Sequence, residues 1–239
     1  MSVLPLVLAG PLQSWGSASR FARRGTEYAP TKSGVIGLLA AAQGRDRTAD
    51  LSDLAALRFG VRVDQPGTRV RDYQTAKHLV TGVSMPVSER FYLADAVFVA
   101  AVEGDPDLVG ELYRALRSPV YMPYLGRRSC PPSRPLDLGE PREGRIEDVL
   151  ERQPWQASRW WQRQRRWREK AEIELSTLID APPGRGRADA LRDLPLSFDP
   201  AHRRYGLRPV LPGAVRLPNP KFHPTPPPDH DPLVALGES

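Results

Sequence analysis

The chain has 239 residues, 40% of them hydrophobic and 26% charged, enough for a packed core and against a disordered or fibrous chain. A single cysteine, Cys130, excludes a disulfide within one molecule and fits a reducing cytoplasm, and the longest charge-free apolar run, near residues 34–42, falls far short of a bilayer span. Thirty-four basic against 28 acidic residues leave a net charge of +6, which favours a polyanionic partner. Thirty of the basic residues are arginines, the exceptions being Lys32, Lys77, Lys170 and Lys221. GC-rich coding accounts for arginine over lysine but not for the excess of positive charge.

Val3–Leu8 is short, apolar and β-branched at Val3 and Val7, which predicts a buried first strand ending at Ala9-Gly10-Pro11. No basic region precedes it as in a signal peptide. Residues 12–30 are loop-like. A helix follows, capped by Thr31 or Ser33, and its apolar positions nearly encircle it, so it belongs inside. Gly34 and Gly37 would let another element approach closely. Phe59, Val61 and Val63 alternate with Gly60, Arg62 and Asp64, the pattern of a strand with one wet face. Residues 68–90 read as a protruding, basic β-hairpin with a polar tip. Phe91–Val102 reads as one long central strand, and Asp107–Arg117 as an amphipathic helix. Pro119–Pro135 is a loop of Gly, Pro and Arg, followed by a short strand at Leu136–Leu138.

The order through residue 140 is β-α-β-(hairpin)-β-α-β. It predicts an α+β protein with a ferredoxin-like core, the architecture of an RNA-recognition motif, carrying a hairpin thumb at 68–90. Residues 141–171 form a separate basic segment: between Arg152 and Lys170 lie six arginines, one lysine and four of the five tryptophans. Glu172–Ile179, Leu194–Phe198 and Tyr205–Leu211 predict the strands of a small β-rich C-terminal part, 172–217. Residues 218–239 are a proline-rich tail, with seven prolines between Pro218 and Pro232.

Several stretches are specific in combination. They are Leu8-Ala9-Gly10-Pro11-Leu12-Gln13-Ser14-Trp15-Gly16, the Pro30–Ala42 segment, Val61-Arg62-Val63-Asp64, Asp72-Tyr73-Gln74-Thr75, Tyr92-Leu93-Ala94-Asp95-Ala96, and Pro123–Pro131 around Gly126-Arg127-Arg128. In this order they resemble the CasD family, the subunit of the type I-E CRISPR Cascade complex that holds the 5′ end of the guide RNA. The likeness is strong over residues 3–140 and loose over 172–211. It implies a ferredoxin-like core with a thumb, in a cytoplasmic ribonucleoprotein directed against foreign DNA. It also implies binding of the crRNA 5′ handle, with the CasC backbone subunit and the large CasA subunit as neighbours and target DNA in the assembled complex. Since a different subunit of that family's complex cuts the precursor, the resemblance implies a binding subunit without catalysis, cofactor or metal. Residues 152–170 and the tail depart from the family pattern, and the resemblance assigns them no role in handle binding.

The candidate RNA-binding residues fall in four groups. Trp15 either stacks on a base beside Gln13, which offers a base-edge hydrogen bond, or packs over the sheet edge. Lys32 and Ser33, at a helix start, form either a phosphate cradle or a plain capped terminus; the upstream glycines do not fit a nucleotide-hydrolysing loop. Tyr73, Gln74, Lys77, His78 and Arg90 lie on or beside the hairpin, and the resemblance favours Arg90. Tyr124, Gly126, Arg127 and Arg128 combine a stacking face, a position for close backbone approach and two guanidinium forks. Tyr121 stands beside them as a further stacking face. Cys130 reads as a small buried residue rather than a nucleophile. Arg203-Arg204-Tyr205 reads more readily as a solvated turn, and Asp229-His230-Asp231 as a solvated tail rather than a metal site. Arg152–Lys170 suits either single-stranded nucleic acid, with DNA the natural ligand, or a tryptophan face docked on protein.

Two other functions compete with handle binding. One is metal-independent endoribonuclease activity on precursor crRNA, for which Tyr73, Lys77 and His78 would supply base and cation. The other is scaffolding, with RNA contact incidental.

Overall fold

The computed structural model describes residues 1–16, 23–182, 184 and 188–222. The tail beyond residue 222, with Asp229-His230-Asp231, lies outside the described residues. The elements in chain order are β1 (Ser2–Ala9), β2 (Leu12–Gln13), β3 (Arg23–Arg24), α1 (Lys32–Ala42), α2 (Ser52–Ala56), β4 (Arg58–Gln65), β5 (Thr68–Gln74), β6 (Ser88–Ala94), β7 (Val97–Gly104), α3 (Pro106–Arg117), β8 (Arg142–Glu143), α4 (Ile146–Arg152), α5 (Arg159–Gln162), α6 (Arg165–Arg168), β9 (Glu172–Asp180), β10 (Asp189–Ser197) and β11 (Arg204–Pro218). The result is a mixed α/β protein dominated by antiparallel sheets. Among the described residues no helix is long and apolar enough to cross a membrane.

The main sheet runs β10-β11-β9-β4-β7-β1-β8, with every neighbouring pair antiparallel. All eight residues of β1 are buried, because α1 and α3 cover one face of the sheet and α4 the other. The first core gathers Leu4, Leu6, Leu8, Phe59, Phe98 and Ile36; the second joins Val3, Val99 and Ala101 to Ile146 and Leu150. Thr31 caps α1 through its side-chain oxygen, which accepts from Gly34 N at 3.2 Å. Asp105 caps α3 by accepting from the amides of Asp107 and Leu108.

Four sequence expectations are corrected here. The short strand expected at Leu136–Leu138 is a single bridge, Leu6↔Asp137, and the strand that pairs there with β1 is β8, beyond residue 140. The run predicted as one strand over Phe91–Val102 breaks at Asp95, which adopts φ +57, so β6 and β7 belong to different sheets. Gly67, at φ +72, sits so close to the Ala94 carbonyl and Ala96 that a side chain there would collide with both. β6 therefore pairs with β5, β2 and β3 in a four-stranded sheet, and the hairpin reaches from Thr68 to Ala94. The wet face predicted for β4 is dry. Arg62 is 0% and Asp64 2% exposed, because α4 and the chain after it cover them. Arg62 binds Asp64 through two nitrogens, at 2.7 and 2.9 Å, and also donates to the carbonyls of Leu150, Gln153 and Pro154. Burial raises the Asp64 carboxyl pKa, with the Arg62 bonds opposing it. Finally, β9, β10 and β11 do not make a sheet of their own. β9 pairs with β4 through Gly60↔Ile179, Val61↔Leu178 and Arg62↔Thr177, which extends the main sheet.

Candidate nucleic-acid interface

Two of the four candidate groups turn inward. Gln13 and Trp15 are each 0% exposed. Gln13 donates to the carbonyls of Leu8 (3.0 Å) and Ala96 (2.7 Å), and its Oε1 accepts from Trp15 Nε1 at 3.0 Å. Gln13 thus spends its amide on the protein rather than on a base. The indole lies on Gly34, where an added Cβ would stand 2.7 Å from its ring, so α1 admits it only because residue 34 has no side chain.

Lys32 and Ser33 are buried as well. The anion at the start of α1 comes from the chain itself: Asp193 Oδ2 accepts from Lys32 N at 2.8 Å. Lys32 Nζ binds Asp180 Oδ2 at 3.0 Å, and Arg208 binds both aspartates. Burial lowers the Lys32 pKa while Asp180 opposes the shift. Ser33 Oγ faces Thr31 Oγ1 at 3.4 Å. The expected phosphate cradle is therefore a filled structural site, closed by residues on β9, β10 and β11.

The other two groups are exposed or half-buried. On the hairpin, Tyr73 projects outward with Arg71 over its ring at 4.9 Å, and Gln74 Nε2 donates to Asp72 at 2.8 Å. The ribbon continues past β5 through a Lys77↔Ser84 bridge to a tip held by His78 and Val83. The His78 Nδ1 is engaged by Thr81, at 3.2 Å from its amide and 3.1 Å from its hydroxyl. The tip is apolar rather than polar as expected: Leu79 is 98% exposed, and Val80 and Val83 stand out beside it.

Arg90 and the Tyr124–Arg128 loop meet at a cleft. A cavity of about 1930 Å³ is lined by α1, the 121–128 loop and residues of 192–205. A smaller one of about 410 Å³ adjoins it at Arg24, Arg47, Arg90, Arg127, Arg128 and Arg203. Asp46 is the one acid lining the two, against nine arginines, which add Arg45, Arg192 and Arg204 to those six. Arg45 is committed to Asp53. Tyr121, Tyr124 and Tyr205 bring aromatic rings to the same walls.

The loop is rigid for local reasons. Ser14 N donates to Leu125 O at 3.1 Å, and Leu125 N to Cys130 O at 2.7 Å. Gly126 has φ +84, and a Cβ there would fall 1.8 Å from the Ser14 carbonyl oxygen. The close approach expected at Gly126 is thus to the protein's own backbone. Arg127 lies over the Tyr92 ring at 4.8 Å and donates to Arg24 O at 2.9 Å. Its Nη1 and the Nε of Arg90 are buried without a hydrogen-bond partner among the described residues. Two buried guanidinium N–H donors without acceptors are costly, and they point at what a ligand would supply there: anionic oxygen. Cys130 is buried, which raises its thiol pKa and fits the reading as an inert residue.

Arg24, Arg47 and Arg192 line the cleft without having been singled out in the sequence, and Arg203-Arg204-Tyr205, solvent-facing as expected of a turn, lines it too. Arg45-Asp46-Arg47 at the end of α1 carried a visible signal, whereas Arg192 reaches the cleft only through the long-range pairing of β10. Three of the four tryptophans of 152–170 dock on the protein, while Trp160 is half exposed. Trp155, Trp161 and Trp167 pack with Ile173, Leu175 and Leu217.

Fold and cleft define a class: a mixed α/β protein of antiparallel sheets with a cleft lined by arginine and tyrosine. Within that class the family model described as CRISPR-associated protein (Cas_Cas5) matches residues 3–211. The CRISPR system Cascade subunit CasD of Escherichia coli (strain K12) is 40% identical over 158 residues, spanning 58% of this chain and 70% of that protein. A solved CRISPR RNA-guided surveillance complex contains a chain that superimposes with a TM-score of 0.76 at 33% identity, covering 94% of this chain and 95% of that one. A crystal structure of a Cas protein superimposes with a TM-score of 0.68 at 37% identity, covering 94% of this chain and all of that one. The chain belongs to the CRISPR-associated Cas5 family.

Proposed function

We propose that this chain is a non-catalytic subunit of a type I-E Cascade complex that binds the 5′ handle of crRNA in the arginine cleft. The observation that carries the reading is a pair of buried guanidinium nitrogens, on Arg90 and Arg127, that have no partner among the described residues, in a wall also built from Arg128 and Tyr124. Phosphate oxygens would complete those donors through charge-assisted hydrogen bonds, and Tyr121 and Tyr124 offer stacking faces for bases. Tyr73, Gln74, Lys77 and His78 extend the contact along the thumb. The likeness to CasD supports the CasC backbone and CasA large subunits as neighbours, target DNA in the assembled complex, and a cytoplasmic setting.

A ferredoxin-like core underlies this reading. It is supported by the β-α-β-β-α-β succession of β1, α1, β4, β7, α3 and β8 and by their sheet order β8-β1-β7-β4. In functional terms residues 1–140 hold the guide, with 68–90 as thumb, and 172–217 brace the cleft. Residues 141–171 and the tail 218–239 lie outside handle binding.

The test pairs end-labelled repeat RNA with a shuffled control, in EDTA, across a salt series. The expected result is salt-sensitive retention of intact repeat RNA in preference to the control. Metal-free cutting at one position would overturn the binding reading in favour of an endoribonuclease using Tyr73, Lys77 and His78. Neither retention nor cutting would leave a scaffold.

A further inference from the structure

The whole net charge of the chain sits in one segment. Residues 152–170 hold seven basic side chains and one acid, Glu169, for a net +6; the other 220 residues hold 27 basic and 27 acidic side chains and sum to zero. All seven basic residues are exposed. Among the described residues only Arg165 makes an ion pair, with Glu169 at 3.8 Å.

The segment is held in one shape. Trp155 and Trp167 meet edge to face at 5.6 Å, and Trp155 Nε1 donates to Asp64 O at 2.9 Å. Asn219 ties down the carbonyls of Trp167 (2.7 Å) and Lys170 (2.8 Å). Arg166 lies across the Trp161 ring at 4.2 Å. The tryptophans thus form a base from which the cations project, so little backbone entropy remains to be lost on binding.

The segment and the cleft lie on opposite faces of the main sheet. Ile173 and Leu175, under the tryptophans, alternate in register with Ile179, which packs on the α4 side; Leu178 packs on the α1 side, where the cleft opens.

We propose that residues 152–170 form a second nucleic-acid surface that takes the phosphodiester backbone of a strand other than the one in the cleft. Arginine forks with a single carboxylate among them, Glu169, fit phosphate oxygens, and the contact is sequence-independent. That the strand is a second one rests on the function proposed for the cleft, whereas the phosphate-binding surface itself does not.

Arg159, Arg163 and Arg168 make no side-chain hydrogen bond or ion pair among the described residues, so the triple variant Arg159→Gln/Arg163→Gln/Arg168→Gln tests the surface without touching its tryptophan base. The full chain and the variant are titrated with random-sequence duplex DNA, single-stranded DNA, repeat RNA and anionic phosphatidylglycerol vesicles over a salt series. The expected result is at least a tenfold loss of affinity for duplex or single-stranded DNA, with a log-log salt slope shallower by about 2 to 3, or 0.7–0.9 per lost phosphate contact, and unchanged retention of repeat RNA. The DNA arm that loses more identifies the strand form. Unchanged DNA affinity and slope would overturn the proposal, as would a loss confined to repeat RNA or to vesicles. An Arg128→Glu variant separates the two surfaces, since it alters repeat RNA retention alone if both assignments hold.

Discussion

Thr31–Gly34 and Tyr124–Arg128 border the same cleft, and both offer cations and backbone amides to an anion. They end differently. At the start of α1 the anion is Asp193, with Asp180 taking the Lys32 ammonium, so the site is satisfied within the protein. At Tyr124–Arg128 no carboxylate arrives among the described residues, and there a buried donor of Arg127 stays open beside one of Arg90. A basic loop keeps its cations available to a ligand only where the fold brings it no acid of its own. Asp180 and Asp193 lie about 150 residues from Lys32 in sequence, so local pattern could not separate the two cases.

That contrast can be broken from either side. The largest effect is expected for Asp193→Ala, which strips Arg208 and the start of α1 of a buried partner. It should cost about 3–5 kcal/mol in denaturant unfolding. Next comes the double reversal Arg90→Glu/Arg128→Glu. It should weaken repeat RNA retention about a hundredfold or more in filter binding, since each charge-assisted contact is worth about 1.5–3 kcal/mol. Lys32→Met, by contrast, should leave that retention unchanged; a comparable loss would return the start of α1 to the binding site. Gly126→Ala should cost about 1–3 kcal/mol of stability, from its left-handed backbone and the Ser14 carbonyl, with the loop shift visible as lost RNA affinity. The smallest effect is at Cys130. Burial raises its pKa above the ordinary 9.0, so the folded protein keeps a proton that the unfolded chain releases. Its stabilising contribution is present below pH 9 and is lost as pH climbs through the raised value. Unfolding midpoints of wild type and Cys130→Ala should therefore converge at alkaline pH.

Much of the fold was legible. The apolar run in β1, the all-round apolar α1 and the amphipathic α3 each follow a local rule of period or capping. The misreadings share one cause. Apolar patterning continues from β6 into β7, and only the positive φ at Asp95 and the tight Gly67 turn send the two strands to different sheets. Alternation in β4 reads as half-wet, because Arg62 and Asp64 look like solvent-facing charges until α4 covers them.

By itself the sequence determined where β1, α1 and α3 lie, which loop carries arginines beside tyrosine, and that all the excess charge falls between Arg152 and Lys170. Those are properties of composition and local periodicity. The tertiary structure decided which cations are spent and which remain available. A charge is neutralised by whatever the fold places within a few ångströms of it, and those neighbours come from strands far away in the chain.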